Sequence, residues 1–290
     1  MKKVLKHLTG LLISCAVIYG AWIFMTSSGV PLPFTATIEE KASGSELVNI
    51  RVEKKIEEGE GYTVEYFLPT FGGSVSPLVI AKINNNIQNE ITGIVSRFKE
   101  DNEKPFLEQK NTLSLSLQKY SVTQSRYLNI ELVEFSYQAG AAHPLTYTHI
   151  YVYDLNKGEM VTLNGVFNKE VDYLSGVSNI VREKLKIQLS MKSIEQNPEA
   201  FLDASTTDGE MLQYLDTESI LSTVFFEEGI TPREDNFSEF SILDSGIEFV
   251  FGQYQVAPYV YGEQRVLISY AELENLLLPE FKNAVRYIPN

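Results

Sequence analysis

The sequence predicts an α+β protein built in two parts. Three observations predict it. Several runs alternate apolar with polar residues, the period of a half-buried strand. Two segments, Ile80 to Phe98 and Val171 to Leu189, repeat apolar residues at three and four instead, the stripe of an amphipathic helix. The elements come as strand, strand, helix and then three strands, so antiparallel sheets packed by amphipathic helices are expected rather than a βαβ winding. The expected parts are residues 48–160 and 161–290, each an α+β subdomain.

Each element has its own signal. Val48, Ile50, Val52 and Ile56 alternate with charged neighbours, as do Tyr62, Val64, Tyr66 and Leu68 with theirs. Glu58-Gly59-Glu60-Gly61 lies between them, so the pair reads as a hairpin. Pro77 opens a helix, where a proline lacks no needed donor. Its apolar stripe is Ile80, Ile83, Ile87, Ile91, Val95 and Phe98, with Asn84, Asn85, Asn86 and Gln88 on the other faces. Leu113, Leu115 and Leu117 mark the next strand. Leu128, Ile130 and Leu132, then Val133, Phe135 and Tyr137, mark another, with a bulge expected where the phase shifts. Thr146 to Leu155 is a third, closed by a turn at Asn156-Lys157-Gly158.

The second part begins near Val161. Val171, Leu174, Val177, Val181, Leu185 and Leu189 predict a helix, and Ser190 to Thr217 reads as polar and irregular with short helical fragments. Phe240, Ile242 and Leu243 lead through Asp244-Ser245-Gly246 to strands at Ile247–Phe251 and around Val266 and Ile268. A closing helix is expected at Ala271–Leu278, ended by Pro279.

The N-terminus carries a location signal. Lys2, Lys3 and Lys6 precede an uncharged apolar run from Leu8 to Met25. At a helical rise of ~1.5 Å per residue the run spans roughly 27 Å, close to a hydrocarbon core. An uncleaved, single-pass signal anchor over residues 8–25, with the body outside the cytoplasm, is the preferred reading. Two others compete. Thr26, Ser27, Ser28 and Gly29 offer small residues for a signal-peptide cleavage, and Leu12-Ile13-Ser14-Cys15 fits a lipoprotein pattern. Residues 1–25 are then cytoplasmic stub and anchor, and 26–47, with Pro31 and Pro33, a linker.

Charge and cysteine usage narrow the function classes. The only cysteine is Cys15, so the body has neither disulfide nor thiol chemistry. Setting aside Lys2, Lys3 and Lys6 lowers the 24 basic residues to 21 against 38 acidic ones, a net −17. Such a surface repels nucleic-acid phosphates and attracts cationic proteins or peptides.

Motifs for chemistry are few. There is no Gly-x-Ser-x-Gly elbow. His143 and His149 are too few for a zinc site, which takes three or four ligands. Asp203, Asp208, Glu210, Asp216 and Glu218 cluster, but the sixth position of a calcium loop from Asp203 is Asp208 rather than glycine. Neither a catalytic residue nor a cofactor or metal is assigned. His143, in the small-residue loop Gln138 to Pro144, reads as a turn-fixing side chain, with a ligand contact or a catalytic base as the functional alternative. Tyr254, Tyr259, Tyr261 and Tyr270 surround Ala257-Pro258 and Gly262, and read either as core or as an exposed platform for sugars or a protein.

These segments resemble a known family. Gly140-Ala141-Ala142-His143-Pro144 is similar to a Gly-Gly-Ala-His loop, with Ala141 in place of its second glycine. Tyr153-Asp154-Leu155 with Gly158, Leu163 and Phe167, then Tyr254 to Tyr259 with Gly262, then Ile268-Ser269-Tyr270 with Leu273 continue the match. The sequence resembles the extracytoplasmic domain of RsiV-type anti-sigma factors, which bind lysozyme, and of PdaC-type peptidoglycan deacetylases. That is the domain of unknown function 3298 with its companion 4163. The resemblance implies two α+β parts and makes Gly140, His143, Pro144, Tyr254, Pro258, Tyr259 and Gly262 the candidate ligand-contact residues. Only Met1 to His7 precede the anchor and the chain stops at Asn290, so neither a sigma-binding segment nor a deacetylase module is expected. The expected function is a membrane-anchored, non-catalytic binding or sensing module of the cell envelope, its ligand a cationic protein such as lysozyme or cell-wall glycan. The rivals are a cell-wall hydrolase or deacetylase accessory enzyme and a structural subunit of an envelope complex.

Overall fold

The computed structural model describes residues 47–105, 108–196 and 224–282. The expected anchor, nearly all of the linker and the Asp203 to Glu218 cluster lie outside them. No helix among the described residues is long and apolar enough to cross a membrane.

The first sheet has six strands in chain order: β1 (Val48–Glu58), β2 (Tyr62–Gly73), β3 (Asn111–Thr123), β4 (Tyr127–Tyr137), β5 (Leu145–Asp154) and β6 (Glu159–Met160). The β1–β2 and β3–β4–β5–β6 pairs are antiparallel. β2 and β3 are parallel, pairing Tyr62–Tyr66 with Asn111–Leu115. This corrects the expectation of a purely antiparallel first sheet and of no βαβ unit. Length is the physical reason. The intervening helix α1 (Pro77–Asp101) has 25 residues, about 37 Å at ~1.5 Å each. β2 has 12, about 40 Å at ~3.3 Å each. The helix therefore carries the chain back to the start of β2, and β3 leaves beside it in the same direction.

β2 and β3 diverge beyond Tyr66. β1 still pairs with Phe71 through Ile50 on one side, while on the other the Phe71 backbone meets α1 instead of β3. The Asn84 side chain replaces that strand: its Oδ1 accepts from the Phe71 N–H at 2.7 Å and its Nδ2 donates to the Phe71 carbonyl at 2.9 Å. α1 buries Ile80, Ile83, Ile87, Ile91, Ile94 and Val95 against Val64, Tyr66, Leu113, Leu115, Leu128, Ile130, Leu132 and Tyr153. The expected bulge in β4 is found in its partner. The register shifts between Leu117 and Lys119, opposite Leu132 and Glu131, so β3 carries the extra residue.

The second sheet is antiparallel: β7 (Phe240–Ile242), β8 (Gly246–Phe251) and β9 (Gln264–Ser269). Helix α2 (Tyr173–Gln196) packs on it through Val177, Val181, Leu185 and Leu189. α2 runs six residues beyond Ser190, into the stretch expected to be irregular with short helical fragments. The same apolar cluster takes in Tyr127, Ile150 and Val152 from the first sheet. Asn129 joins the two sheets, accepting from the Ile242 N–H at 2.9 Å and donating to its carbonyl at 3.0 Å. The expected closing helix is instead two single turns, α3 (Tyr270–Leu273) and α4 (Pro279–Lys282). Ser269 and Glu272 form a capping box on α3, and Pro279 starts α4 rather than ending a helix.

Candidate binding site

The β4–β5 loop and the segment between β8 and β9 meet at the start of β5. Gln138 to Ala141 form a turn closed by the Ala141 N–H on the Gln138 carbonyl at 2.9 Å. Gly140 sits at its third position with φ 85°, a conformation glycine adopts at little cost. Ala141 is not in the left-handed region, so the alanine that departs from the family's loop meets no backbone demand for glycine. The Ala139 N–H donates to the buried Asn111 Oδ1 at 2.6 Å, which pins the loop to β3.

His143 follows this turn and lies against two tyrosines. Its ring stacks on Tyr259 with centroids 3.9 Å apart. Tyr254 is 6.2 Å from the imidazole and 5.7 Å from Tyr259. His143 Nδ1 is 3.2 Å from the Pro144 carbonyl and Nε2 is 3.1 Å from the Tyr254 hydroxyl. A carbonyl only accepts, so Nδ1 donates to it, and the Tyr254 hydroxyl is then placed to donate to Nε2.

The tyrosines are held by a strained segment. Gly252 to Gln255 form a turn with the Gln255 N–H on the Gly252 carbonyl at 3.1 Å. Tyr254 occupies its third position at φ 65°, where glycine or asparagine is usual. Gln255 secures the turn: its Oε1 accepts from Gly252, and its Nε2 donates to the carbonyls of Gly229 and Asn236. Pro258 leads into the 3₁₀ turn Tyr259–Tyr261, which ends at Gly262 with φ 64° and ψ −163°. That region is open essentially to glycine alone, although no atom lies within 4 Å of where a Cβ would stand. Tyr261 is buried and its hydroxyl donates to Ser193 at 3.2 Å, tying this turn to α2.

The fold therefore brings His143, Pro144, Tyr254, Pro258 and Tyr259 into one neighbourhood. Gly140 and Gly262 shape the backbone on either side. Tyr254 is 47% exposed, so this cluster offers an accessible aromatic edge, whereas Tyr261 and Tyr270 fill the core. His149 does not join it. Its Nε2 pairs with Glu134 at 2.8 Å, on a separate stretch of β4 and β5.

Charged side chains missed by sequence reasoning line the seam between the sheets. Arg265 forks onto Glu131 at 2.7 and 3.0 Å, and also contacts Glu248 at 3.3 Å and Glu263 at 2.7 Å. Burial alone would lower its pKa, but Glu131 and Glu263 raise it. Glu263 also accepts a short hydrogen bond from Thr148. Glu239 accepts from the Ile150 N–H at 2.5 Å, and Gln253 from the Thr146 N–H at 3.0 Å, so side chains meet two outward donors on β5. Burial pushes the Glu239 carboxyl above its ordinary range, outweighing the Ile150 N–H and the nearby His149. The only sequence signal for this seam is charge inside otherwise apolar strands, at Glu131, Glu248 and Arg265.

Residues 164–271 match the family described as Protein of unknown function (DUF3298). The chain is 27% identical over 148 residues to Peptidoglycan-N-acetylmuramic acid deacetylase PdaC of Bacillus subtilis (strain 168), covering 51% of this chain and 26% of that protein. It thus spans about a quarter of that relative's length. A DUF3298 family member from Bacteroides fragilis NCTC 9343 aligns at 14% identity with a TM-score of 0.48, over 83% of this chain and 98% of that one. Another from Pseudomonas aeruginosa PAO1 aligns at 13% and 0.48, over 82% and 96%. The matched span carries α2, β7 to β9, Tyr254 and Tyr259, and is similar over that length to the DUF3298 family.

Proposed function

We propose that this chain is a non-catalytic binding module of the bacterial cell envelope, held outside the cytoplasm by residues 8–25 and directed at a cationic protein such as lysozyme. Residues 48–160 serve in this reading as the companion 4163 domain. The observation that carries the proposal is the setting of His143. A catalytic histidine of the hydrolase type needs a nucleophile at one nitrogen and an orienting acid at the other. Here one nitrogen faces a backbone carbonyl and the other a tyrosine hydroxyl. The ring is stacked rather than poised, in a cluster suited to contact. Aromatic anchors beside an exposed face are what protein recognition uses, and a net charge of −14 favours a basic partner. The PdaC relative is by its name an enzyme of peptidoglycan, which supports a wall-related setting.

The test is titration of the whole protein with lysozyme at low and moderate salt. Binding that weakens with salt is expected, and Tyr254→Ala with His143→Ala should reduce it at least tenfold. No binding at either salt removes the protein-ligand reading. Chito-oligosaccharide binding that the same two changes abolish would assign the aromatic cluster to wall glycan.

A further inference from the structure

A second candidate site lies at the opposite end of β5. A crevice of about 280 Å³ opens between α1 and the β5–β6 hairpin, lined by Asn86, Asn89, Glu90, Tyr153 and Met160. Along β5 it is roughly 25 Å from the His143 loop at ~3.3 Å per residue, so it is separate from the cluster described above. The β5–β6 turn lies close on α1. A Cβ on Gly158 would stand 3.0 Å from the Val79 carbonyl, and Lys82 Nζ reaches the Lys157 carbonyl at 3.4 Å.

The chemistry of the lining points to a ligand. The Tyr153 ring is fully buried in the core below α1. Its hydroxyl is the one buried side-chain polar atom among the described residues with no hydrogen-bond partner. Buried polar groups are almost always paired, and an orphan calls for an explanation. Burial, and then the charge of Glu90, push the Tyr153 pKa up, so the hydroxyl keeps its proton and is available as a donor. Beside it, the side chains of Asn86, Asn89 and Glu90 form no hydrogen bond or ion pair with another described residue. They sit at i, i+3 and i+4, on one face of α1.

We propose that this crevice binds a single neutral pyranose ring. Two carboxamides supply donors and acceptors, Glu90 accepts from paired hydroxyls, Tyr153 offers a hydroxyl, and half-exposed Met160 gives an apolar wall. The volume of about 280 Å³ falls just below the range of ligand pockets, about 300–1,000 Å³, the size for one ring rather than a chain. Glu90 disfavours anionic ligands, including phosphosugars and sugar acids. Hydroxyl-rich recognition is shared by plain hexoses and N-acetylated amino sugars, and the apolar Met160 wall suits the acetyl methyl. This inference does not rest on the lysozyme reading, since it concerns other residues.

The experiment is ligand-observed NMR and calorimetric titration of the whole protein with N-acetylglucosamine and, separately, glucose. Saturable binding of at least one is expected. Tyr153→Phe removes only the unpaired hydroxyl, so its thermal midpoint should hold or rise while sugar affinity falls about tenfold. Asn89→Ala, on an exposed helical face, should fold as well and lose a similar factor. Binding of N-acetylglucosamine alone assigns the acetyl group to Met160; equal binding assigns recognition to the hydroxyls. Saturable binding that both variants leave intact overturns the site, as does no binding of either sugar at millimolar concentration. Neither outcome touches lysozyme binding, which is read with Tyr254→Ala.

Discussion

At the scale of single residues, side-chain amides do the work of missing strands. Asn84 and Asn129 each grip one backbone unit with both ends of a carboxamide. Asn129 is buried, so truncation leaves the Ile242 amide without its partner and the Ile242 carbonyl with the Thr123 hydroxyl alone. Asn129→Ala should cost about 2–4 kcal/mol, read by urea denaturation, with Asn129→Gln failing to restore the geometry. Gly262 makes a second test. Its φ and ψ lie where only glycine rests easily, although a methyl meets no atom. Gly262→Ala should therefore lose about 1–3 kcal/mol through backbone strain alone. An unchanged midpoint would show that the turn before β9 relaxes freely. Sequence reading caught Gly262 by its aromatic neighbours. It could not catch Asn84 or Asn129, because an asparagine on a polar face looks the same whether it meets water or a backbone. Gln124 and Ser125 were equally hidden. Both have positive φ in the β3–β4 hairpin, yet neither is a usual residue for that turn. Asp244 and Tyr270 hold them there through bonds to Gln124.

At the scale of elements, periodicity was a dependable guide and direction was not. The isoleucine stripe from Ile80 to Ile91 is the buried face of α1. Alternation located the β1–β2 hairpin and most of β3 to β5 because each has one face against a core. Whether β3 runs with or against β2 is not a matter of pattern. It follows from how far α1 carries the chain, and only counting residues against strand length exposes it. The bulge was similarly misassigned by one strand, since a phase change in β4 can be absorbed by an extra residue in its neighbour. The candidate site was legible for another reason. His143 and the tyrosines sit on loops dense in Gly, Ala and Pro, and such loops are shaped for position rather than packing. Their meeting, more than a hundred residues apart in sequence, needed the fold.

At the scale of the whole molecule, acidity has two opposite effects on stability. Glu272 is held down to about 2, chiefly by Lys184 and then by Ser269. Its stabilisation is present above 4.5 and is lost as pH falls toward 2. Glu239 runs the other way. The folded chain holds its proton more tightly than the unfolded chain, so its effect erodes stability as pH rises above 4.5. Glu239→Gln keeps a carbonyl for the Ile150 N–H and removes the ionisation. Denaturation midpoints taken from about pH 5 to 8 should fall less steeply in that variant than in the parent. An identical slope would mean that Glu239 ionises at no cost. The same surface charge underlies the expected salt sensitivity of binding to a basic protein.

The seam along β5 has a consequence for how the protein resists strand-to-strand assembly. A sheet margin with bare amides invites a foreign strand to dock, and here Gln253 and Glu239 occupy two of those amides from the neighbouring sheet. Separation of the two sheets would uncover a ready template of five residues, Thr146 to Ile150. Any event that loosens them, whether rising pH ionising Glu239 or loss of the Asn129 grip, thus turns an internal joint into a nucleus for intermolecular assembly.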